Sequence, residues 1–239
     1  MRTLVVLPTY NEILNIEPML RALRQSVPND HILVVDDGSP DGTANRAEEL
    51  GNELGQIEVL RRSTKSGLGG AYRAGFKFGL GKGFDHFVEI DCDFSHDPKV
   101  LPQLLKAAES SDVVIGSRYV DGGHIPNWAL SRRLLSRGGN QYASIMLGLH
   151  VKDSTSGYRV YSKTGLEKIG YETVSADGYG FQIEMTYRAR RGGASIVEVP
   201  ISFIDREHGD SKMSSAIVIE ALLLVTKWAI GRPFGIQAH

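Results

Sequence analysis

The chain has 239 residues, 41% of them apolar and 23% charged, which fits a soluble globular protein with material for a sizeable core. With a formal net charge of −1 nothing suggests a nucleic-acid-binding surface, and no nucleic-acid partner is expected. The single cysteine, Cys92, excludes an internal disulfide framework and points to a reducing compartment.

Leu4 to Leu7 is an apolar, β-branched run closed by Pro8 and reads as a buried strand, too short for the core of a secretory signal. Between Asn15 and Val27 the apolar residues Ile16, Met19, Leu20, Leu23 and Val27 repeat at the spacing of one helix face. His31 to Val35 predicts a second strand, ending in Asp36-Asp37-Gly38-Ser39. Asp41 can cap the helix that follows through Glu48 and Glu49. Ile57 to Leu60 is a third strand, and Gly67-Leu68-Gly69-Gly70 opens a helix running to about Leu80. Phe87 to Ile90 is a fourth strand that ends at Asp91. Asp97 and Pro98 suit the cap and first turn of a helix. Val113 to Ile115 is a fifth strand, ending in Gly116-Ser117-Arg118-Tyr119.

The second half is less regular. Leu130 to Leu149 predicts a helix interrupted at Gly138-Gly139, and Phe181 to Arg191 another. Ile196 to Ile204 is strand-like, with Pro200 implying an edge or a bulge. Ala216 to Ile230 predicts a last helix, shorter than the roughly 20 residues that span a bilayer. Glu220 and Lys227 fall near one face of it, which suits an amphipathic helix at a membrane surface or against a partner; a plain core helix is the competing reading. The alternation of strands and helices in the first half predicts an α/β fold, a mostly parallel central sheet with helices on both faces.

In such sheets ligands bind beyond the carboxyl ends of the strands. Here those ends are Pro8-Thr9-Tyr10-Asn11-Glu12, Asp36-Asp37, Asp91-Cys92-Asp93 and Ser117-Arg118-Tyr119. Asp91 and Asp93 are two apart after a strand and point the same way. Paired carboxylates repel unless a cation lies between them, and a hard divalent ion that also holds substrate phosphates fits. A lone Asp-x-Asp is common as solvated loop or cap residues; the preceding Phe-Val-Glu-Ile distinguishes this one. Rival motifs fail. Tyr72 stands where a dinucleotide fingerprint needs its third glycine, and neither a P-loop nor a nucleophile elbow is present.

Pro8 to Glu12, Asp36 to Thr43, Lys65-Ser66-Gly67-Leu68-Gly69, Asp91-Cys92-Asp93 and Gly116 to Tyr119 together resemble the family-2 glycosyltransferases of GT-A fold. Asp153 to Arg159, Gly178 to Glu184, Glu198 to Phe203 and Arg206 to Lys212 narrow the likeness to the dolichyl- or polyprenyl-phosphate mannose synthases. The resemblance implies mannosyl transfer from GDP-mannose to a polyprenyl phosphate by an inverting mechanism that depends on Mg²⁺ or Mn²⁺. It implies that Asp91 and Asp93 hold the metal, with Cys92 adjacent through its backbone. Pro8, Tyr10, Glu12, Val35 and Asp37 would hold the guanosine. Ser95 stands where relatives often carry a glutamine ligand, and a hydroxyl is the weaker ligand. Arg118, Arg132 and Ser136 would meet phosphate oxygens of the acceptor, and Arg206 and Lys212 would close over the diphosphate from a mobile loop, Ser202 to Ser215.

The expected organisation is a GT-A catalytic domain over 1–212 and a C-terminal amphipathic helix and tail over 213–239, with no transmembrane segment. The expected location is cytoplasmic and peripheral, at the membrane surface where the lipid phosphate lies, possible contact with a membrane-embedded protein included. Leu134, Leu135, Ile145, Met146 and Leu147 beside Arg132, Arg133 and Arg137 suit that contact. Transfer of glucose or another sugar to a lipid phosphate or glycan, and a non-catalytic sugar-nucleotide-binding subunit, are the competing functions.

Overall fold

The structure is a computed structural model, and it describes residues 1–64, 67–205 and 215–231. Among the described residues seven strands form one sheet: β1 (Thr3–Thr9), β2 (His31–Asp36), β3 (Ile57–Arg61), β4 (His86–Glu89), β5 (Val113–Ser117), β6 (Arg159–Ser162) and β7 (Ile196–Pro200). Their order is β3-β2-β1-β4-β6-β5-β7, and β6 alone runs against its neighbours. The helices are α1 (Ile16–Ser26), α2 (Thr43–Leu54), α3 (Gly67–Gly81), α4 (Leu101–Ala108), α5 (Leu130–Leu147), α6 (Lys163–Ile169), α7 (Gly178–Arg191) and α8 (Ser215–Gly231).

Strand alternation divides the core between the two faces of the sheet. Leu4, Val6, Leu33 and Val35 face the side covered by α3, α5, α6 and α7; Val5, Leu7, Ile32 and Val34 face α1, α2 and α4. α3 lies close against the sheet because it carries glycines there: a Cβ on Gly79 would come 2.6 Å from both Leu4 and Phe87.

The sequence reading omits β6 and α6. A four-residue strand shows no readable period, and its first residue, Arg159, looks unlike a strand residue. Arg159 is nonetheless fully buried. It donates to the Ser154 and Ser156 carbonyls and to Thr186 Oγ1 on α7, so it fastens the turn before β6 to the helix above. The expected interruption at Gly138-Gly139 is absent. α5 runs through both glycines, because a helix tolerates glycine at a modest cost of about 1 kcal/mol each. It ends at Gly148, in the left-handed conformation. β7 takes the sheet edge, where Pro200 needs no partner for its missing N–H.

α8 packs on α5 and α7, with Val225 buried. Its Leu222, Leu223 and Ile230 are exposed, as are Leu130, Leu134, Leu135 and Ile145 of α5. Leu147, expected on the outer face of α5, belongs to the core, and Met146 is packed against it. Among the described residues no helix is long and apolar enough to cross a membrane.

Candidate active site

The carboxyl ends of β1, β2 and β4 open on a cavity of about 370 Å³. Local hydrogen bonds decide which carboxylates face it. Asp36 Oδ1 accepts from the amides of Gly38 and Ser39 while Oδ2 accepts from Thr9 Oγ1, so Asp36 is committed to the turn. Asp37, the next residue, lines the cavity. Its Oδ1 accepts from Arg62 Nη1 at 2.8 Å. Arg62, just past β3, went unmarked in the sequence because nothing in an Arg-Arg pair after a short strand indicates its partner. Glu12 also lines the cavity and accepts from Asn15 Nδ2 at 2.7 Å. Asp41 accepts from the amides of Ile13 and Thr43, tying the loop after β1 to the start of α2.

Pro8, Tyr10, Cys92 and Ser95 line the same cavity. Val35 does not. It points to the opposite side of β2 from its neighbours Val34 and Asp36, is fully buried beside Val6 and Leu33, and belongs to the core.

Asp91 and Asp93 both line the cavity, two and four residues past β4. Asp93 is 5% exposed and its Oδ1 accepts from the Ser95 amide at 3.0 Å. Phe94, at φ 60°, takes the left-handed conformation that a bulky residue rarely adopts, which fixes the tight turn around Asp93. Ser95 therefore acts through its backbone, as a brace for Asp93. Asp91 Oδ1 accepts from the buried Tyr72 hydroxyl at 3.3 Å. Glu89 lies beneath, accepting from Gln182 Nε2 at 2.8 Å. Burial pushes its carboxyl up to about 8, although Arg159 pulls the other way.

The described residues hold no cluster of three or more metal-ligating side chains. Two hard carboxylates on one cavity wall fit a divalent cation whose remaining ligands come from a substrate's phosphates and water, as small hard cations prefer. Asp91 and Asp93 are the residues that could hold it.

A second, mostly apolar crevice of about 70 Å³ lies between α5, α7 and α8, with Leu135, Ile183, Leu222 and Val225 among its walls. Arg118, Trp128, Thr155 and Tyr179 line both this crevice and the larger cavity. Ser136 lines the crevice and accepts from the Tyr119 hydroxyl at 2.7 Å. Arg118 is 7% exposed, and its fork is already committed. Nε and Nη2 donate to the two oxygens of Asp153 at 2.7 Å each, the backbone N donates to Asp153 at 2.9 Å, and Nη2 also reaches Thr155 Oγ1. Burial disfavours its charge, but Asp153 more than compensates and holds the guanidinium above its ordinary pKa. Asp153 therefore takes Nε and Nη2 of Arg118, so a contact with an acceptor phosphate would fall to Nη1. Arg132 lines neither cavity; it pairs with Asp205. Arg206 and Lys212, with most of the expected loop, lie outside the described residues.

Further cavity residues were not singled out in the sequence. Asp177 Oδ1 accepts from the Gly69 amide at 2.9 Å, and a Cβ on Gly67 would overlap its carboxylate, so the starts of α3 and α7 meet here. His96 is buried between Tyr158 and Phe203 and lines the cavity; burial lowers its pKa to about 4, so it is neutral.

Fold and site together define a GT-A glycosyltransferase, and the chain matches the description Glycosyl transferase family 2 over residues 4–170. The chain belongs to this family. Over 230 residues it is 50% identical to an undecaprenyl-phosphate mannosyltransferase of Micrococcus luteus, covering 96% of this chain and 95% of the relative. Over 231 residues it is 47% identical to a polyprenol monophosphomannose synthase of Mycolicibacterium smegmatis, covering 96% of this chain and 87% of that one. Among solved structures, a mannosyltransferase from Pyrobaculum calidifontis in complex with GDP-mannose and Mn²⁺ superposes with a TM-score of 0.58 at 15% identity, over 99% of this chain and 76% of that one. At that identity the likeness speaks for the fold.

Proposed function

We propose that the protein transfers mannose from GDP-mannose to a polyprenyl phosphate, with inversion at the anomeric carbon. The observation that carries this reading is the junction at Arg118, Trp128, Thr155 and Tyr179, where a polar cavity with an Asp91/Asp93 wall meets an apolar crevice. A nucleoside diphosphate sugar suits the first and an isoprenoid phosphate the second. The names of the two relatives support mannose and a polyprenyl acceptor, and the GDP-mannose complex of a protein of the same fold supports the donor.

In this reading Asp37, fixed by Arg62, and Tyr10 receive the base at the far end of the cavity. Asp91 and Asp93 would hold Mg²⁺ or Mn²⁺, and the chemistry such an ion would supply is stabilisation of charge on the diphosphate leaving group. An acceptor phosphate oxygen attacks the anomeric carbon from the side opposite the diphosphate; the bond from that carbon to the diphosphate oxygen breaks, and GDP leaves. The attacking oxygen is already ionised near neutral pH, so no strong general base is needed, and the neutral, buried His96 is not asked to be one. Arg206 and Lys212 would add positive charge to the departing diphosphate.

The acceptor's tail is insoluble, so the enzyme has to work at a bilayer surface. The exposed Leu130 and Leu134 of α5 and Leu223 and Ile230 of α8, on the two helices that wall the crevice, suit peripheral contact there.

Calorimetry with divalent metal present tests the donor. GDP is expected to bind about tenfold or more tighter than UDP, a difference of about 1.4 kcal/mol. Tighter binding of UDP would move the reading to a glucose or N-acetylglucosamine donor.

A further inference from the structure

Asp205 follows a segment that is held on both sides. Phe203 N donates to the His124 carbonyl at 2.9 Å and Ile204 N to the Ser95 carbonyl at 3.2 Å. The Asp205 carboxylate is thereby delivered to the edge of Trp128. Its Oδ1 accepts from Trp128 Nε1 at 2.9 Å and from Arg132 Nη1 at 3.0 Å. Arg132 in turn lies flat on the indole, with Cζ 3.8 Å from the ring centroid. Arg118 Cζ is 5.9 Å from that same centroid, so Trp128 is the shared neighbour of the two arginines beside the junction.

This arrangement is an anion and a guanidinium gathered on an aromatic platform, Trp128, which itself lines the junction where the proposed acceptor phosphate would arrive. We propose that Asp205 is a positioning residue that stands in for the acceptor phosphate, parking Arg132 on Trp128 until that phosphate displaces it. The proposal rests on the lipid-phosphate reading above.

The exchange is physically reasonable in both directions. The Arg132 and Asp205 side chains are 29% and 47% exposed, and ion pairs so open to water are weak. A phosphate offers two oxygens to the planar guanidinium fork where Asp205 uses one, and Arg–phosphate pairs of that kind are the stronger. After the exchange Asp205 keeps its Trp128 donor, so the indole stays anchored while the arginine moves. Arg118 has Nε and Nη2 committed to the buried Asp153, whereas Arg132, stacked on Trp128 beside the junction, is held by a single partly exposed contact to Asp205 and is the more easily released.

Asp205→Asn tests this, because the amide oxygen can still accept from Trp128 Nε1 while the charge that holds Arg132 is gone. The measurement is steady-state transfer from GDP-mannose to a short-chain polyprenyl phosphate. The acceptor KM is expected to fall roughly two- to fivefold, the scale of a weak surface pair, with the donor KM and kcat near wild type. Asp205→Glu, which restores the charge, is expected to return the acceptor KM toward wild type. A purely structural role for Asp205 would move donor and acceptor constants together or raise both. An acceptor KM that is unchanged or raised in Asp205→Asn, with an active wild type, overturns the proposal alone. A wild type that transfers nothing to polyprenyl phosphate overturns the lipid-phosphate reading and this proposal with it.

Discussion

Asp93→Ala is expected to lower turnover by about three orders of magnitude while leaving the fold in place. Removing a group that stabilises leaving-group charge commonly costs about 10²- to 10³-fold, and loss of a metal ligand belongs at the upper end. The complication is the brace at this position, since Asp93 Oδ1 also accepts from the Ser95 amide. Asp93→Asn keeps an oxygen for that bond and removes the charge. If Asp93 is a metal ligand, both variants lose activity and metal-stimulated GDP binding, and only the alanine variant loosens the turn at Phe94. Wild-type turnover in either variant, sustained with a chelator present, would contradict the assignment.

Asp153→Ala is expected to be the most destabilising single change near the site. Asp153 is fully buried and takes three hydrogen bonds from Arg118, whose side chain is 6% exposed. Removing one partner of such a pair strands a buried charge and costs about 3–5 kcal/mol. For a chain of this size that corresponds to a fall in Tm of about 10 °C. The Glu198 carboxylate accepts from the amides of Lys152 and Asp153 and fixes the turn before β6 to β7. A urea melt would check this. A midpoint equal to wild type would mean that water enters and solvates Arg118, and that the pair is not the anchor of the junction.

Much of the fold was legible because the first half repeats one pattern. An apolar run ends in polar residues, a helix with a clean apolar face follows, and each run found its place in the parallel part of the sheet. The ends of those runs also pointed to the cavity, and Pro8, Tyr10, Glu12, Asp37, Asp91, Asp93 and Arg118 all line it. What escaped had no local signature. β6 is short and antiparallel, and its defining contact is between Arg159 and α7, 27 residues away at Thr186. Val35 looks like a strand-end residue in sequence, but the alternation of side chains sends it into the core. The partners of the arginines were equally hidden. Arg62 with Asp37, Arg118 with Asp153 and Arg132 with Asp205 are pairings across the fold, and residue type alone cannot tell a guanidinium waiting for a ligand from one already paired. The glycines of α5 show the reverse error, where residue type suggested a break that helix packing overrode.

The most direct measurement is transfer itself. The purified protein is incubated with GDP-mannose, Mg²⁺ or Mn²⁺, and a polyprenyl phosphate in anionic vesicles, and the lipid product is identified by mass and by the configuration of its anomeric carbon. The structure and its relatives lead us to expect a lipid carrying one added mannose in phosphodiester linkage, of inverted configuration, formed only when divalent metal is present. Unaltered lipid phosphate across both metals, with UDP-sugars consumed in place of GDP-mannose or the sugar passed to a non-phosphorylated acceptor, would contradict it.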